Sequence, residues 1–444
     1  MYLPPSVCLC MQMLEQAGFQ AYAVGGCVRD ALLGIEPHDY DLCTNALPEQ
    51  MRRVFARYPL VHNGEKHGTI GVVIDHSMIE ITTFRTEGGY RDSRHPDWVR
   101  FVATVEEDLA RRDFTVNAMA YSPDRGVIDP WGGKTDLQNH ILRSVGDPVT
   151  RFTEDALRIL RCIRFALRFS LTPDPETLDA MFRLAPRLDN LAAERVFDEL
   201  CKLILLANSD DLLRFAPILT QVIPELRPCI GFQQHSPHHA YDVFTHIAHV
   251  VEATPPELPL RLAALLHDAG KPDCYIFGTD SHGHFPGHAK VSAQIADSVL
   301  HRLKAPTALR EQVVFLIDHH MTPMEPDKRI LRRRLGRYGI ENTRLLLTLQ
   351  EADMGSKGTG ITDSMEQFPL LRRLVDELLD EDACLTVKDL AIDGRDLMAL
   401  GFAPGPKVGA CLNNLLSLVQ DEALPNDRDA LLSKAKEYLS EESV

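Results

Sequence analysis

Ala21-Tyr22-Ala23-Val24-Gly25-Gly26-Cys27-Val28-Arg29-Asp30 opens the informative part of the chain, and Asp39-Tyr40-Asp41-Leu42 follows shortly after it. The run Ala21 to Val24 is short, apolar and stopped by two glycines, which predicts a buried strand. A Gly-Gly pair lets the backbone approach a phosphate closely, and the helix predicted after it presents free N–H groups at the positive end of its dipole. Asp39 and Asp41 stand two apart, so on a strand over Tyr40–Cys43 both carboxylates point to one face. Paired carboxylates suit Mg²⁺, which bridges nucleotide phosphates and activates an attacking oxygen. Either motif alone reads as an ordinary turn or a solvated strand end. Their order and spacing point to phosphate cradling with metal-assisted nucleotidyl transfer.

Before this stretch, Pro4-Pro5-Ser6 and Val7 to Ala17 predict a capped helix stopped by Gly18. After it, Thr69–Ile74 and Met78–Phe84 read as strands joined through a hairpin at Asp75-His76-Ser77. From Thr153 onward helical periodicity dominates, so a small α/β head precedes a long helical body. At 444 residues the chain exceeds one core and should hold about three domains. Hydrophobic content of 45% and charged content of 25% are those of a soluble globular protein. No apolar run has the length of a membrane span and the start lacks a signal peptide, so a cytoplasmic location is expected. The ten cysteines include no CxxC pair, which points to neither a disulfide framework nor a cysteine zinc site. The net charge of −16 argues against an indiscriminate nucleic-acid binder. Local basic surface remains open at Arg111-Arg112, at Arg158, Arg161, Arg164 and Arg168, and over Lys328 to Arg334.

Three further stretches carry chemistry. Glu106 to Ala118 packs charge into a segment that then turns apolar, and a salt-bridged surface helix is its plain reading; Asp129-Pro130-Trp131-Gly132-Gly133 is a turn. Thr153-Glu154-Asp155-Ala156-Leu157-Arg158-Ile159-Leu160-Arg161 predicts a helix with Thr153 as N-cap and with Asp155 and Arg158 on one face. Such a pair is an intrahelical contact of about 0.3–0.5 kcal/mol, or else an acceptor and donor set matching the exocyclic amine and ring nitrogen of cytosine or adenine. Further on, His246 lies on a predicted helix, and Leu262 to Leu266 is an apolar helix ending in His267-Asp268. His288, His319-His320 and Asp353 follow. Imidazole and carboxylate together suit Mn, Fe, Ni, Zn or Mg.

As a set, GGxxRD…DxD, RTEGxYxDxRHP, EEDLxRRDFTxNA, DPWGG and EDALRxLR resemble the class II tRNA nucleotidyltransferases, the CCA-adding enzymes, here with an HD domain in the helical body. The resemblance implies a polymerase-β-like α/β nucleotidyltransferase head over residues 1–145. An elongated all-α body would follow: a base-selecting, RNA-binding neck (146–234), an HD domain (235–360) and a tRNA-binding tail (361–444). By the same resemblance Gly25, Gly26 and Arg29 would hold the nucleotide triphosphate, and Asp39 and Asp41 would bind the catalytic Mg²⁺. Arg112, Asp113 and Asn117 would recognise ribose and triphosphate. Asp155 and Arg158 would pair with the Watson–Crick edge of CTP or ATP, supported by Arg161, and Glu80 is a candidate third carboxylate. The loop Arg85 to Pro96 would help switch the pocket from C to A, which favours addition of the whole CCA. His246, His267, Asp268 and Asp353 would bind one divalent metal, with His288 and His320 placed as ligands of a second. That HD centre would hydrolyse phosphoesters such as 2′,3′-cyclic or terminal phosphates on RNA ends. Leu385 to Gly405 resembles the tail of HD-containing members.

The implied partners are CTP, ATP and the tRNA acceptor stem, read by shape and phosphates, with no role for DNA or a membrane. Bacterial poly(A) polymerases share several of these motifs, so a poly(A) polymerase or an A-adding enzyme is the nearest alternative. A phosphohydrolase with a nucleotide-sensing head is the distant one.

Overall fold

A computed structural model describes residues 1–444 apart from 63, 89–97, 359–364, 382 and 442–444, and the side chains of 87, 88, 98, 99 and 441. The chain divides into two compact units, residues 1–207 with 214–224 and residues 208–213 with 225–444.

The first unit begins with α1 (Pro5–Gln16), which has Pro5 at its first position and no side-chain cap, and ends at Gly18 with φ 86°. The head sheet comprises β1 (Ala21–Val24), β2 (Leu42–Thr44), β3 (Leu60–Val61), β4 (Thr69–Ile74), β5 (Ser77–Thr83), β8 (Ala120–Ser122) and β9 (Gly126–Ile128), with β6 (Arg85–Gly88) and β7 (Trp98–Phe101) forming a separate ribbon. Its order is β3-β4-β5-β2-β1-β8-β9. All pairs are antiparallel except β2 with β5. The β4–β5 hairpin turns on Asp75 and His76, both at positive φ, as a tight two-residue loop requires. Around the sheet lie α2 (Gly26–Leu32), α3 (Pro48–Val54), α4 (Val105–Ala110) and α5 (Gly133–Gln138). Tyr22, Val24, Cys43, Phe84, Leu109 and Ala118 share one buried cluster, which packs α4 against the sheet. In the DPWGG turn, Asp129 accepts from the N–H groups of Gly133 and Lys134. Gly133 is held to glycine because a Cβ there would overlap the Thr115 carbonyl. Of the predicted loop Arg85 to Pro96, Arg85 to Gly88 form β6, and the remainder lies outside the described residues.

Two expectations are corrected. The strand predicted over Tyr40–Cys43 begins at Leu42. Pro37 and the bend at His38 keep the chain off the sheet. Asp41 still accepts from the Val24 N–H at 3.0 Å, so it closes the ladder while Asp39 lies before it. The second correction concerns Thr153, which caps nothing. It sits inside α6 (Pro148–Glu154), whose N-cap is Asp147 with Pro148 behind it. Asp155 then breaks the helix at φ −142°, ψ 102°, and α7 (Leu157–Phe169) starts afresh. Asp155 and Arg158 therefore do not share a helix face. Aspartate followed by proline is a stronger helix start than an interior threonine.

A short parallel pair, β10 (Ile141–Leu142) with β11 (Thr172–Pro173), braces α7 before α8 (Pro175–Leu184), α9 (Ala193–Ile204) and α11 (Ala216–Val222); along the chain α10 (Ser209–Arg214) precedes α11 and falls mostly in the second unit.

The second unit is mainly helical: α12 (Val243–Ala253), α13 (Leu258–Leu266), the hairpin β12 (Ile276–Phe277) with β13 (Gly283–His284), α14 (His288–Arg302), α15 (Thr307–His319), α16 (Lys328–Tyr338), α17 (Ile340–Gly355) and α18 (Gln367–Asp380). Beyond them α19 (Gly394–Leu400), α20 (Pro406–Gln420) and α21 (Arg428–Glu441) close a separate core on Leu397, Leu415 and Leu431. The basic run on α16 is spent within the fold. Lys328 pairs with Glu377 and Glu381, Arg332 with Glu422, and Arg333 with Asp421. No helix among the described residues is long and apolar enough to cross a membrane.

Candidate active sites

Gly25 ends β1 at φ 77°, and a methyl group there would come within 2.7 Å of Arg112 Nη1. Arg112 thus leans over the turn, and its Nε is buried without a partner among the described residues. An arginine left with a donor to spare beside a glycine turn suits an anion. Desolvation, and then the charges of Glu80 and Asp39, raise the Asp41 carboxyl above the ordinary range, with Arg112 opposing them. Glu80 and Asp39 thus add negative charge about Asp41 against one guanidinium, which a divalent cation would neutralise, but the oxygens of the three do not converge as the ligand atoms of the second unit do.

Four of the predicted nucleotide-binding residues form one relay. Arg29 Nη1 donates to Asn117 Oδ1 at 2.5 Å, and Asn117 Nδ2 donates to Asp113 Oδ1 at 3.0 Å. Asp113 Oδ2 accepts from Arg161 Nε and Nη2 at 3.0 and 2.6 Å. Burial opposes ionisation of Asp113, yet Arg161 and Asn117 outweigh it and bring the carboxyl down to about 2. Arg29 is 5% exposed, bonded to Asp30 and laid over the Phe169 ring at 4.1 Å. It therefore locks α2 to α7, an indirect way of shaping a phosphate site.

Asp155 and Arg158 both line a cavity of about 270 Å³, with Arg111, Arg112, Asp113, Arg161 and Arg195. Asp155 Oδ1 accepts from the Leu157 N–H at 3.0 Å, and Oδ2 accepts from Arg195 Nη2 at 2.8 Å. Arg158 donates through Nη1 to Glu154 and the Arg151 carbonyl, and through Nη2 to the Arg111 carbonyl. The two side chains are each fixed from outside rather than by one another. Sequence reading missed Arg195, whose partner is distant along the chain. It also missed Asp108, buried and within reach of Arg111 and Arg112, although its i,i+3 and i,i+4 spacing carried the signal.

In the second unit five helices deliver the other cluster: His246 from α12, His267 and Asp268 at the end of α13, His288 opening α14, His320 closing α15, and Asp353 on α17. His246 Nε2 lies 3.0 Å from Asp353 Oδ1 and 3.4 Å from Asp268 Oδ2, while His267 Nε2 lies 3.2 Å from Asp268 Oδ2. Asp268 Oδ1 faces His288 Nε2 at 3.3 Å, and His288 faces His320 at 3.3 Å. The ligand atoms form two sets sharing Asp268, one with His246 and His267 and one with His288 and His320. His319 turns its ring onto Phe315 and Tyr338 instead.

The donor chemistry fits a metal. Each of the four imidazoles has Nδ1 against a backbone carbonyl, of Ser356, Ala264, Phe285 and Ile317 in turn. That fixes the proton on Nδ1 and turns the Nε2 lone pair inward. Lone pairs converging on carboxylates repel unless a cation sits among them. Among the described residues, His267 Nε2 is buried with no hydrogen-bond partner beyond its charge contact with Asp268. His267 is drawn above its ordinary pKa by Asp268 and Asp353 despite burial, and burial presses His320 down to about 4. Lys271, which sequence reading passed over, places Nζ 2.7 Å from Asp268 Oδ2 and 2.8 Å from Gln234 Oε1.

Comparison with known proteins places this geometry. Family models match the chain as a poly A polymerase head domain over residues 21–143, an RNA and SrmB-binding site of polymerase A over 170–230, and tRNA nucleotidyltransferase domain 2 over 287–435. The CCA-adding enzyme of Levilactobacillus brevis is 35% identical over 434 residues, 95% of each chain. That of Latilactobacillus sakei is 32% identical over 96% of each. The crystal structure of the Bacillus stearothermophilus CCA-adding enzyme in complex with CTP matches with a TM-score of 0.73 at 27% identity, covering 100% of this chain and 99% of its own.

Proposed function

The chain belongs to the CCA-adding enzymes, and from that premise we propose how its own residues carry out the reaction. It is a tRNA nucleotidyltransferase that builds CCA on tRNA 3′ ends from CTP and ATP without a nucleic-acid template. The observation that carries the assignment of roles is the cavity joining Asp155, Arg158 and Arg112 to the Arg29–Asn117–Asp113–Arg161 relay.

Cytosine and adenine both set an exocyclic amine beside an unprotonated ring nitrogen, whereas uracil and guanine set a carbonyl beside an N–H. Asp155 keeps a second lone pair on each oxygen to accept from the amine, and Arg158 keeps its Nε–H and one Nη2–H for the ring nitrogen. Arg112 and the Gly25-Gly26 turn receive the triphosphate. Arg29, Asn117, Asp113 and Arg161 keep α2, the turn after α4 and α7 in register beneath it. Asp39 and Asp41, with Glu80 beside them, would hold Mg²⁺, which offsets charge on the α-phosphate and makes the tRNA 3′-hydroxyl a better nucleophile. The head over 1–145 and neck over 146–234 share this work, and the tail over 361–444 grips the acceptor stem.

For the second cluster the proposal is a metal-dependent phosphohydrolase. His246, His267, Asp268 and Asp353 hold one divalent ion, and Asp268 with His288 and His320 holds a second. Its substrates are 2′,3′-cyclic or terminal phosphates on RNA ends.

Labelled CTP and ATP, supplied separately and together to tRNAs ending before CCA, after C and after CC, test the main reading. Ordered addition of C, C and A that then stops is expected. ATP incorporation alone would mean A addition if it halts after one residue, and poly(A) synthesis if it continues.

A further inference from the structure

The relay from Arg29 through Asn117 and Asp113 ends at a second guanidinium, that of Arg161, and both guanidiniums lie over one ring. Phe165 stands one turn beyond Arg161 on α7. Its centroid lies 5.2 Å from Arg161 Cζ and 5.3 Å from Arg29 Cζ, which reaches it from α2. The ring closes the relay.

Its place is fixed from several sides. Phe165 is 5% exposed, Phe114 meets it edge-on at 5.7 Å and 76°, and Phe169 stacks on it at 5.9 Å and 18°. A third guanidinium, that of Arg164, lies over it at 4.4 Å and is taken by Glu199 of α9. α9 also carries Arg195, which holds Asp155. The ring thus adjoins α2, the relay and the helix behind Asp155.

Packing alone does not ask for an aromatic here. Leucine would fill most of the space, but it lacks the negative face from which a desolvated guanidinium gains. Arg161 shows what the ring adds. Its Nε and Nη2 are spent on Asp113, so the carboxylate fixes one edge of the guanidinium while the ring lies against its plane. Among the described residues Nη1 has no hydrogen-bond partner, and Arg161 lines the cavity, so Nη1 is the donor left for an anion there.

We propose that Phe165 is a positioning residue for the nucleotide: its ring holds the guanidiniums of Arg29 and Arg161 and so keeps Arg161 Nη1 set for the triphosphate of CTP or ATP. This role rests on the reading of the cavity as the nucleotide site.

Full-length protein with mono-, di- or trifluorinated phenylalanine in place of Phe165 tests it, because fluorine drains the negative face of the ring and changes its shape little. KM for CTP, on tRNA ending after C, and for ATP, on tRNA ending after CC, should climb with each added fluorine to about tenfold. The kcat values and the KM for tRNA should stay within about twofold of wild type. Phe165→Leu should match the trifluorinated protein in nucleotide KM. Arg161→Ala should raise both nucleotide KM values by about tenfold or more. Nucleotide KM flat across the fluorine series overturns the proposal, even where Phe165→Leu is impaired, since the ring then only fills space. A loss confined to kcat or to thermal stability overturns it too. Raised KM in Arg161→Ala with a flat fluorine series strikes the role of Phe165 alone. Nucleotide KM unchanged in Arg161→Ala removes Arg161 from the nucleotide site, and the proposal falls with that reading.

Discussion

Gly25 is where a single atom decides the nucleotide site. Gly25→Ala forces a side chain into φ 77° and onto Arg112 Nη1, and misplacing such a group by an ångström costs about a hundredfold in rate. CTP incorporation should fall by about that factor, and thermal unfolding should come earlier because alanine is strained at that φ. Asp113 gives a pH signature. Its carboxyl is brought from 3.8 to about 2 in the folded protein, so it contributes stability at every pH above its unfolded value. That contribution is lost as pH falls from about 4 through 2. It amounts to roughly 2 kcal/mol, and the stability gap between wild type and Asp113→Asn should close over that window in acid-unfolding curves. Most residues to which we assign chemistry stand out one by one in the sequence, because glycine pairs, paired aspartates and a His-Asp step are distinctive in such order. Arg195 does not. Its role depends on meeting Asp155 at 2.8 Å across the fold, and nothing within a few residues of it announces that. Arg195→Ala should cost about 1–3 kcal/mol in stability and relax discrimination against UTP and GTP about tenfold, measured by competitive incorporation.

At the level of elements, the break between α6 and α7 shapes the cavity in which we propose that the base is selected. A continuous helix through Asp155 would have paired it with Arg158 and consumed both. The break instead lets Asp155 cap the Leu157 N–H and reach Arg195 on α9, while Arg158 reaches back to Glu154 and Arg111. α9 is the brace for this arrangement, since its Glu199 also takes the buried Arg164 of α7. Periodicity could not show the break, because the apolar pattern of α7 runs on without interruption. The caps could have shown it: Asp147-Pro148 is a start signal in its own right. Asp147→Ala should therefore destabilise the protein measurably, whereas Thr153→Ala, on an exposed interior position, should be nearly neutral by chemical denaturation. β2 was misplaced for a related reason. Proline and a bend delay its start, and the alternation of Asp39 and Asp41 with apolar neighbours looks the same on either side of that boundary.

Across the whole molecule, the two proposed chemistries would draw on separate residues in separate compact units. The cavity lined by Asp155 and Arg158 belongs to the first unit. The six HD residues and the orphan Nε2 of His267 belong to the second. The sequence carried this division because each centre has its own ordered motif. The destination of the basic run on α16 was hidden, since its acidic partners lie far along the chain on α18 and beyond α20. With those arginines neutralised at home, an excess of acid elsewhere does not prevent the first unit from gathering five arginines around one cavity. If each centre is self-contained, damage should not cross between them. Asp39→Ala with Asp41→Ala should lower CTP and ATP incorporation by at least about a thousandfold, as loss of several kcal/mol of metal stabilisation implies, and leave Mn²⁺ binding to the HD cluster intact. His267→Ala should remove Mn²⁺ binding there and keep CCA addition within about twofold of wild type. A drop in CCA addition that tracks the lost Mn²⁺ would mean that metal occupancy of the second unit sets the working state of the first.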